Sequence, residues 1–68
     1  MRKEYNFEFY DDETGEQFIV CLVKYTPEQV MYELRREAIA EAKKYFRTPH
    51  CLGYITEFEA EMLGYDTY

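Results

Sequence analysis

The residues of this chain that could act as a nucleophile or a base are two cysteines and one histidine. Thiol catalysis requires a cysteine whose proton is accepted by a base within reach. His50 and Cys51 are neighbours in the sequence, and neighbouring residues of an extended segment point to opposite sides. Cys21 lies in an apolar run, which is typical of a small core residue. The sequence therefore predicts no catalytic residue.

Carboxylates are the other reactive groups, and several cluster in the segment Asp11–Glu16. This segment offers oxygen ligands to a hard cation, but it lacks the alternating ligands and the final Glu of an EF-hand loop. Acid–base catalysis needs a carboxyl group in an apolar pocket, and no pattern marks such a pocket. The three glycines are far apart, so no phosphate-binding loop is predicted. We therefore expect neither a metal ion nor any other cofactor.

A ridge of acidic residues is predicted on a long helix in the middle of the chain. Glu33, Glu37 and Glu41 are spaced four residues apart, so they stack along one side of a helix. Each like-charge pair destabilises the helix by about 0.2–0.5 kcal/mol. An ordinary solvated face explains this spacing, and the functional alternative is an acidic surface that docks on a basic partner.

The high tyrosine content indicates a contact surface. Eight tyrosines and five phenylalanines are more aromatic rings than one small core requires, and tyrosine is enriched in protein interfaces. Tyr32 falls at the edge of the apolar stripe of the long helix, and Tyr65 lies in the C-terminal tail. The candidate partner-binding surface therefore comprises Glu33, Glu37, Glu41, Tyr32 and Tyr65.

The charge balance argues against several classes of partner. The chain carries 14 acidic and 8 basic residues, a net charge of −6. Nucleic acids and anionic membranes attract positively charged proteins, so we expect neither as a partner. The sequence contains no apolar run typical of a signal peptide or a membrane span. We expect a cytoplasmic protein with reduced thiols.

Two strands and a hairpin are predicted at the start of the chain. Apolar residues alternate with polar ones from Lys3 to Tyr10, which is typical of a half-buried strand. The loop that follows contains Gly15, for which we expect a positive φ. The next strand, residues 17–25, is apolar on both faces. It is therefore either a central strand or a strand with one face against a partner.

The pairing of these strands remains open at this point. One register sets Phe7 opposite Val20, and a glycine bulge would shift the pairing by one residue and exchange the two faces of the second strand. Residues 51–55 predict a short third strand. It could lie antiparallel beside the first strand or parallel beside the second, and the first arrangement needs no parallel pairing.

Two sequence motifs predict where helices begin. Each places a threonine three residues before Gln or Glu, as in a capping box: Thr26 with Gln29, and Thr56 with Glu59. The first predicts a long helix from Pro27 to about Phe46. Its apolar stripe would consist of Val30, Met31, Leu34, Ala38, Ala42 and Tyr45. The second predicts a short helix over residues 57–63, closed by Gly64 in the left-handed conformation.

The predicted fold class is α+β, with one domain over residues 1–68. We expect a small two-layer domain in the order ββαβα, in which a β-hairpin and a short third strand pack under one long helix. A short helix follows near the C-terminus. A two-stranded hairpin under the helices is the alternative.

The predicted function is that of a small acidic accessory or regulatory protein, not an enzyme, that binds another protein. The partner would be a basic protein, and a homodimer is also compatible with the small size. Such size and composition are typical of accessory proteins of phages and mobile elements. One alternative is a nucleic-acid mimic that blocks a DNA-binding protein, which requires the acidic residues to lie on one side. A small enzyme or metal-dependent protein is the third choice, and it requires a pocket.

Overall fold

The structure is a computed structural model that describes residues 1–68. It consists of a four-stranded sheet with one helix on each face. The strands lie in the order β3–β1–β2–β4. The elements are β1 (Lys3–Asp11), β2 (Gln17–Lys24), α1 (Met31–Ala42), β3 (Pro49–Ile55), α2 (Glu57–Leu63) and β4 (Asp66–Thr67). The predicted α+β class is confirmed. Neither helix is long and apolar enough to cross a membrane.

The hairpin of β1 and β2 forms the centre of the sheet. Its antiparallel register places Phe7 opposite Val20 and Phe9 opposite Phe18, which is the first of the two predicted registers. Gly15 in the connecting loop has a φ of 76°, as predicted. Because β2 has a neighbour on each side, its apolar character on both faces is that of a central strand.

Strand β3 lies antiparallel beside β1, as the sequence favoured, and begins two residues earlier than predicted. Glu8 pairs with Gly53 and Phe9 pairs with Cys51, so Leu52 is the extra residue of a β-bulge. Gly53 has a φ of 136°, a conformation that side-chain-bearing residues rarely adopt. The bulge therefore requires a glycine at this position.

Helix α1 begins later than the sequence predicted. Its N-cap is Val30, which makes no side-chain capping hydrogen bond. The side-chain amide of Gln29 donates to the hydroxyl and to the carbonyl oxygen of Thr26, so these two residues form a local contact without starting a helix. The prediction of a helix from Pro27 was therefore wrong.

The C-terminal end of α1 also differs from the prediction. The helix ends at Ala42, and the backbone N–H groups of the next residues donate to carbonyls of its last turn. The chain then brings Phe46 onto Phe18, with the two rings stacked and their centroids 4.0 Å apart. This aromatic contact replaces the predicted last turn of the helix.

The core lies between α1 and one face of the sheet. Only Leu34, Ala38 and Ala42 of the predicted apolar stripe are buried in it. Their partners are Tyr5, Phe7, Phe9, Phe18 and Val20. The other three stripe residues, Val30, Met31 and Tyr45, are exposed. Val30 and Tyr45 fall outside the helix and Met31 is its first residue, which explains why the predicted stripe was too long.

Helix α2 lies against the opposite face of the sheet and has the predicted bounds. Thr56 accepts a hydrogen bond from the backbone N–H of Glu59 at 3.1 Å, and the Glu59 carboxylate accepts one from the N–H of Thr56 at 3.0 Å. Gly64 closes the helix with a φ of 66°. The second capping box is therefore confirmed. None of the residues of α2 is buried.

The C-terminal residues, predicted as a tail, form the short strand β4. Asp66 and Thr67 pair in parallel with Phe18 and Ile19 of β2. The ring of Tyr68 packs edge-on against Phe18, with centroids 5.6 Å apart. A two-residue strand has no periodicity that a sequence pattern could reveal.

Candidate protein-interaction surfaces

The cysteines and the histidine lie in three different environments. Cys51 pairs with Phe9, whose side chain is on the α1 face, whereas His50 is the next residue and pairs with Tyr10. His50 Nε2 lies 3.7 Å from the carboxylate of Asp12. Burial, followed by the negative charge of Glu4, raises the pKa of the Cys21 thiol. Cys21 is therefore protonated and a poor nucleophile near neutral pH.

The acidic hairpin loop contains a structural carboxylate. Asp11 is buried, and its Oδ2 accepts hydrogen bonds from the N–H and the hydroxyl of Thr14, both at 3.0 Å. Its Oδ1 accepts a hydrogen bond from the N–H of Thr48 at 3.1 Å. Burial raises the pKa of this carboxyl, but the hydrogen bonds outweigh burial and the net shift is downward. Asp11 thus joins the hairpin loop to the segment before β3.

Two other acids of this loop, Asp12 and Glu13, lie near basic side chains. The carboxylate of Glu13 lies 3.6 Å from the guanidinium of Arg47, and Asp12 lies beside His50. No three His, Cys, Asp or Glu side chains of the molecule converge in a geometry that could hold a metal ion.

The acidic ridge of Glu33, Glu37 and Glu41 lies on the side of α1 that faces β2. Glu37 accepts a hydrogen bond from Lys24 Nζ, the last residue of β2, at 2.7 Å. Glu41 forms an ion pair with Lys44 at 3.0 Å. Glu33 forms no ion pair within the chain. Because the charges of two of the three residues are balanced, the ridge alone is a weaker attractant for bases than its sequence suggested.

The two candidate tyrosines lie on opposite faces of the molecule. Tyr32 is on α1, 67% exposed, with the guanidinium of Arg36 5.9 Å from its ring centroid. Tyr65 follows α2 and lines a groove with Glu57 and Glu61 on the other face of the sheet. Tyr32 shares α1 with the acidic ridge but lies about 100° or more from it around the helix axis, and Tyr65 is separate from both.

An exposed apolar surface lies on α2, where the sequence analysis did not place one. Phe58 and Met62 are 70% and 73% exposed and stand one helical turn apart. Leu63, which is 38% exposed, and the buried Ile55 complete the surface. We call these four residues the α2 patch. Glu8 and Glu59 border the shallow groove that the patch forms.

The signal for the α2 patch was present in the sequence. Helix α2 has only seven residues, and its apolar residues Phe58, Ala60, Met62 and Leu63 point in several directions around the helix axis. A helix of two turns packed on one side cannot bury all of them. At least one apolar side had to face outward, although the sequence does not say which.

Comparisons of this chain with protein-family models, with curated proteins and with solved structures found no match. The functional proposal therefore rests on the chemistry of the surfaces described above.

Proposed function

We propose that this chain is a non-enzymatic interaction module, a small acidic accessory or regulatory protein that binds another protein through the α2 patch. The observation that carries the proposal is the exposure of Phe58 and Met62, one turn apart on a helix with no buried residue. Removing such a side chain from water contributes about 1.5–3 kcal/mol. Association with a partner that covers both residues would be favoured by this free energy, because folding of the isolated chain leaves both side chains in water.

The border of the patch indicates the chemistry of the partner. Glu8 and Glu59 flank the groove, and the whole chain carries a net charge of −6. A partner that fits presents an apolar anchor for Phe58 and Met62 with lysine or arginine beside it. Complementary charge at the rim raises the association rate and selects the partner, whereas the apolar centre supplies affinity.

A second copy of the chain fits this surface less well than a basic protein. In a symmetric dimer the same patch meets itself, so Glu8 and Glu59 of one copy would lie near their counterparts in the other. Such like-charge contacts oppose association.

The nucleic-acid mimic gains no support from the arrangement of acids. That hypothesis requires one continuous acidic side, whereas the acidic ridge lies on the α1 face and Glu57 and Glu61 lie on the α2 face. The carboxylates are therefore divided between two faces of the sheet.

The test begins with a photo-crosslinking amino acid in place of Phe58, introduced into the protein in cells of its source. The crosslinked partner is identified by mass spectrometry, and its affinity for the purified chain is measured by calorimetry. The variant Phe58→Ala/Met62→Ala should bind the partner about tenfold or more weakly, because central apolar contacts dominate interface energies. The circular dichroism spectrum should be unchanged, since neither side chain is buried.

The matched control is Val30→Ala/Tyr32→Ala, which removes two side chains that are 58% and 67% exposed on the α1 side. It should change the affinity by less than about threefold. Loss of binding in the control but not in the α2 variant would overturn the proposal and assign binding to the surface around Tyr32. If the chain instead forms a homodimer, and Phe58→Ala/Met62→Ala dissociates it, then the partner of the α2 patch is a second copy of the chain and not a basic protein.

A further inference from the structure

The outer edge of β2 is covered by β4 along only part of its length. Asp66 and Thr67 pair with the start of β2. Tyr68 extends the contact, since its N–H donates to the carbonyl of Ile19 at 2.8 Å and its carbonyl accepts from the N–H of Cys21 at 2.9 Å. Within residues 1–68, no strand lies beside the rest of β2 on this side.

The alternation of a β-strand fixes which groups of β2 are left without a neighbour. Because Ile19 and Cys21 direct their backbone groups toward β4, Val23 directs its N–H and C=O to the same side. No strand pairs with this side beyond Tyr68, and the Val23 side chain is 37% exposed. We call the backbone from Cys21 to Lys24 the open edge.

Acidic residues border the open edge on both faces of the sheet. On the α1 face, Glu37 reaches Lys24 at the end of β2, and Glu33 lies one turn earlier on the same ridge. On the α2 face, Glu4 is the cross-strand partner of Val23. Glu57 and Glu61 line the groove that contains Glu4 and Cys21.

Two bases near the open edge form no ion pair: Lys3 is the cross-strand partner of Lys24, and Arg36 lines a groove with Glu33 and Glu37. The charge along the open edge stays negative after these bases and the ion pairs are counted. Lys24 neutralises Glu37, and Arg2 neutralises Glu4. The remaining three acids, Glu33, Glu57 and Glu61, form no ion pair within the chain. An extended segment that carries bases on both of its faces would complement this distribution.

We propose that the open edge binds an extended basic segment of another protein, which adds a strand beside the second half of β2. The N–H and C=O of Val23 and the C=O of Cys21 would pair with the backbone of the segment, as in other cases of strand addition. Its lysine or arginine side chains would lie beside Glu33 on one face and beside Glu57 and Glu61 on the other. This surface is separate from the α2 patch, so it is a second contact and not a restatement of the first.

Three synthetic peptides test the proposal by fluorescence anisotropy with the full chain. The first repeats Lys-Lys-Val-Val, the second repeats Glu-Glu-Val-Val and the third repeats Lys-Lys-Pro-Pro, so that charged side chains fall on both faces of an extended segment. The lysine–valine peptide should bind at low salt. The glutamate peptide should bind about tenfold or more weakly because of charge repulsion. The proline peptide should bind about fivefold or more weakly because proline lacks the N–H that pairs with an edge strand.

A backbone modification separates strand addition from charge attraction within the protein itself. The chain can be assembled from synthetic fragments joined at Cys21 and Cys51, with the backbone nitrogen of Val23 methylated. This change should lower the affinity for the lysine–valine peptide about tenfold, because the methyl group removes one hydrogen-bond donor and obstructs the edge. The urea midpoint should stay unchanged, since this N–H has no partner in the free chain. Methylation at Val30, an extended residue outside the sheet, is the matched control and should leave both quantities unchanged.

Equal binding of the lysine–valine and lysine–proline peptides would overturn the proposal, since it would show attraction by charge alone. Unchanged affinity after methylation of Val23 would overturn it as well. Neither outcome bears on the α2 patch, which the variant Phe58→Ala/Met62→Ala tests separately. That variant should bind the lysine–valine peptide with unchanged affinity.

Discussion

The two edges of the sheet differ in how their backbone groups are protected. The β3 edge begins with Pro49, contains the bulge at Leu52, and has the guanidinium of Arg35 3.5 Å from the carbonyl oxygen of Cys51. Beyond Tyr68, the outer edge of β2 has neither a proline nor a bulge, and its one charged side chain, Lys24, is paired with Glu37. Proline, bulges and charged side chains are the means by which natural sheets prevent edge pairing. Within residues 1–68, one edge is therefore protected and half of the other is unpaired.

The same contrast applies to the surroundings of the two edges. A base lies over the β3 edge, whereas acids border the open edge of β2 on both faces. An uncovered edge in a small domain promotes aggregation unless charge repels identical copies. The acids beside β2 supply this repulsion, and they also select a basic segment as the partner.

The largest expected effect comes from removing the bulge that protects β3. The substitution Gly53→Val should destabilise the fold by about 1–3 kcal/mol, because a φ of 136° is strained for any residue with a side chain. Steric clash should contribute little, since a Cβ at this position has no atom within 4 Å. Urea unfolding measures the change. The neighbouring substitution Leu52→Val, at a 56% exposed site, should cost less than about 0.5 kcal/mol, and equal effects of the two would contradict the account.

A smaller effect should follow from freeing the covered half of the β2 edge. Tyr68→Ala removes an aromatic ring from Phe18 and Phe46, whose centroids lie 5.6 Å and 5.5 Å away. We expect a loss of about 1–2 kcal/mol and faster hydrogen exchange of the Cys21 amide, which now donates to Tyr68. The control Tyr25→Ala alters a 68% exposed ring and should leave this exchange rate unchanged. Unaltered exchange in Tyr68→Ala would show that β4 does not depend on its aromatic contact.

A pH-dependent change in stability is expected on the β3 side of the sheet. Asp11 accepts a hydrogen bond from the N–H of Thr48, one residue before β3 begins. The pKa of Asp11 is lower in the folded chain than its ordinary value. A depressed pKa stabilises the fold above the unfolded value of about 3.9, and this contribution disappears as the pH falls toward the folded pKa. Asp11→Asn should therefore lower the urea midpoint at pH 7, and the difference from the unmodified chain should shrink below about pH 4. A constant difference across this range would contradict the assignment, and Asp12→Asn, at an exposed carboxylate, is the control.

The two capping-box motifs show what the sequence could and could not predict. Thr56 and Glu59 form the predicted capping box, because the residues that follow lie on the sheet and the local signal has no competitor. Thr26 and Gln29 carry the same signal, but the first buried residue of α1 is Leu34. Most of the stability of a helix comes from packing, so the helix begins where its packed face begins and the local signal is overridden.

The candidate surface was predictable only in part. The spacing of Glu33, Glu37 and Glu41 correctly placed them on one ridge, since helical periodicity is a local property. The ion pair of Glu37 with Lys24 depends on the tertiary fold, and the ion pair of Glu41 with Lys44 depends on the turn after α1. The separation of Tyr65 from Tyr32 follows from the placement of α2 on the opposite face of the sheet, which no local pattern specifies.

The most direct test of the contrast between the two edges is amide hydrogen exchange in β2, measured by NMR. Leu22 directs its N–H toward β1, so this amide should exchange slowly in the free chain. The amide of Val23 should exchange at a rate close to that of an unstructured residue, and saturation with the lysine–valine peptide should slow it. A Val23 amide that is protected in the free chain, or one that the peptide leaves unchanged at saturation, would contradict the open edge as a binding site.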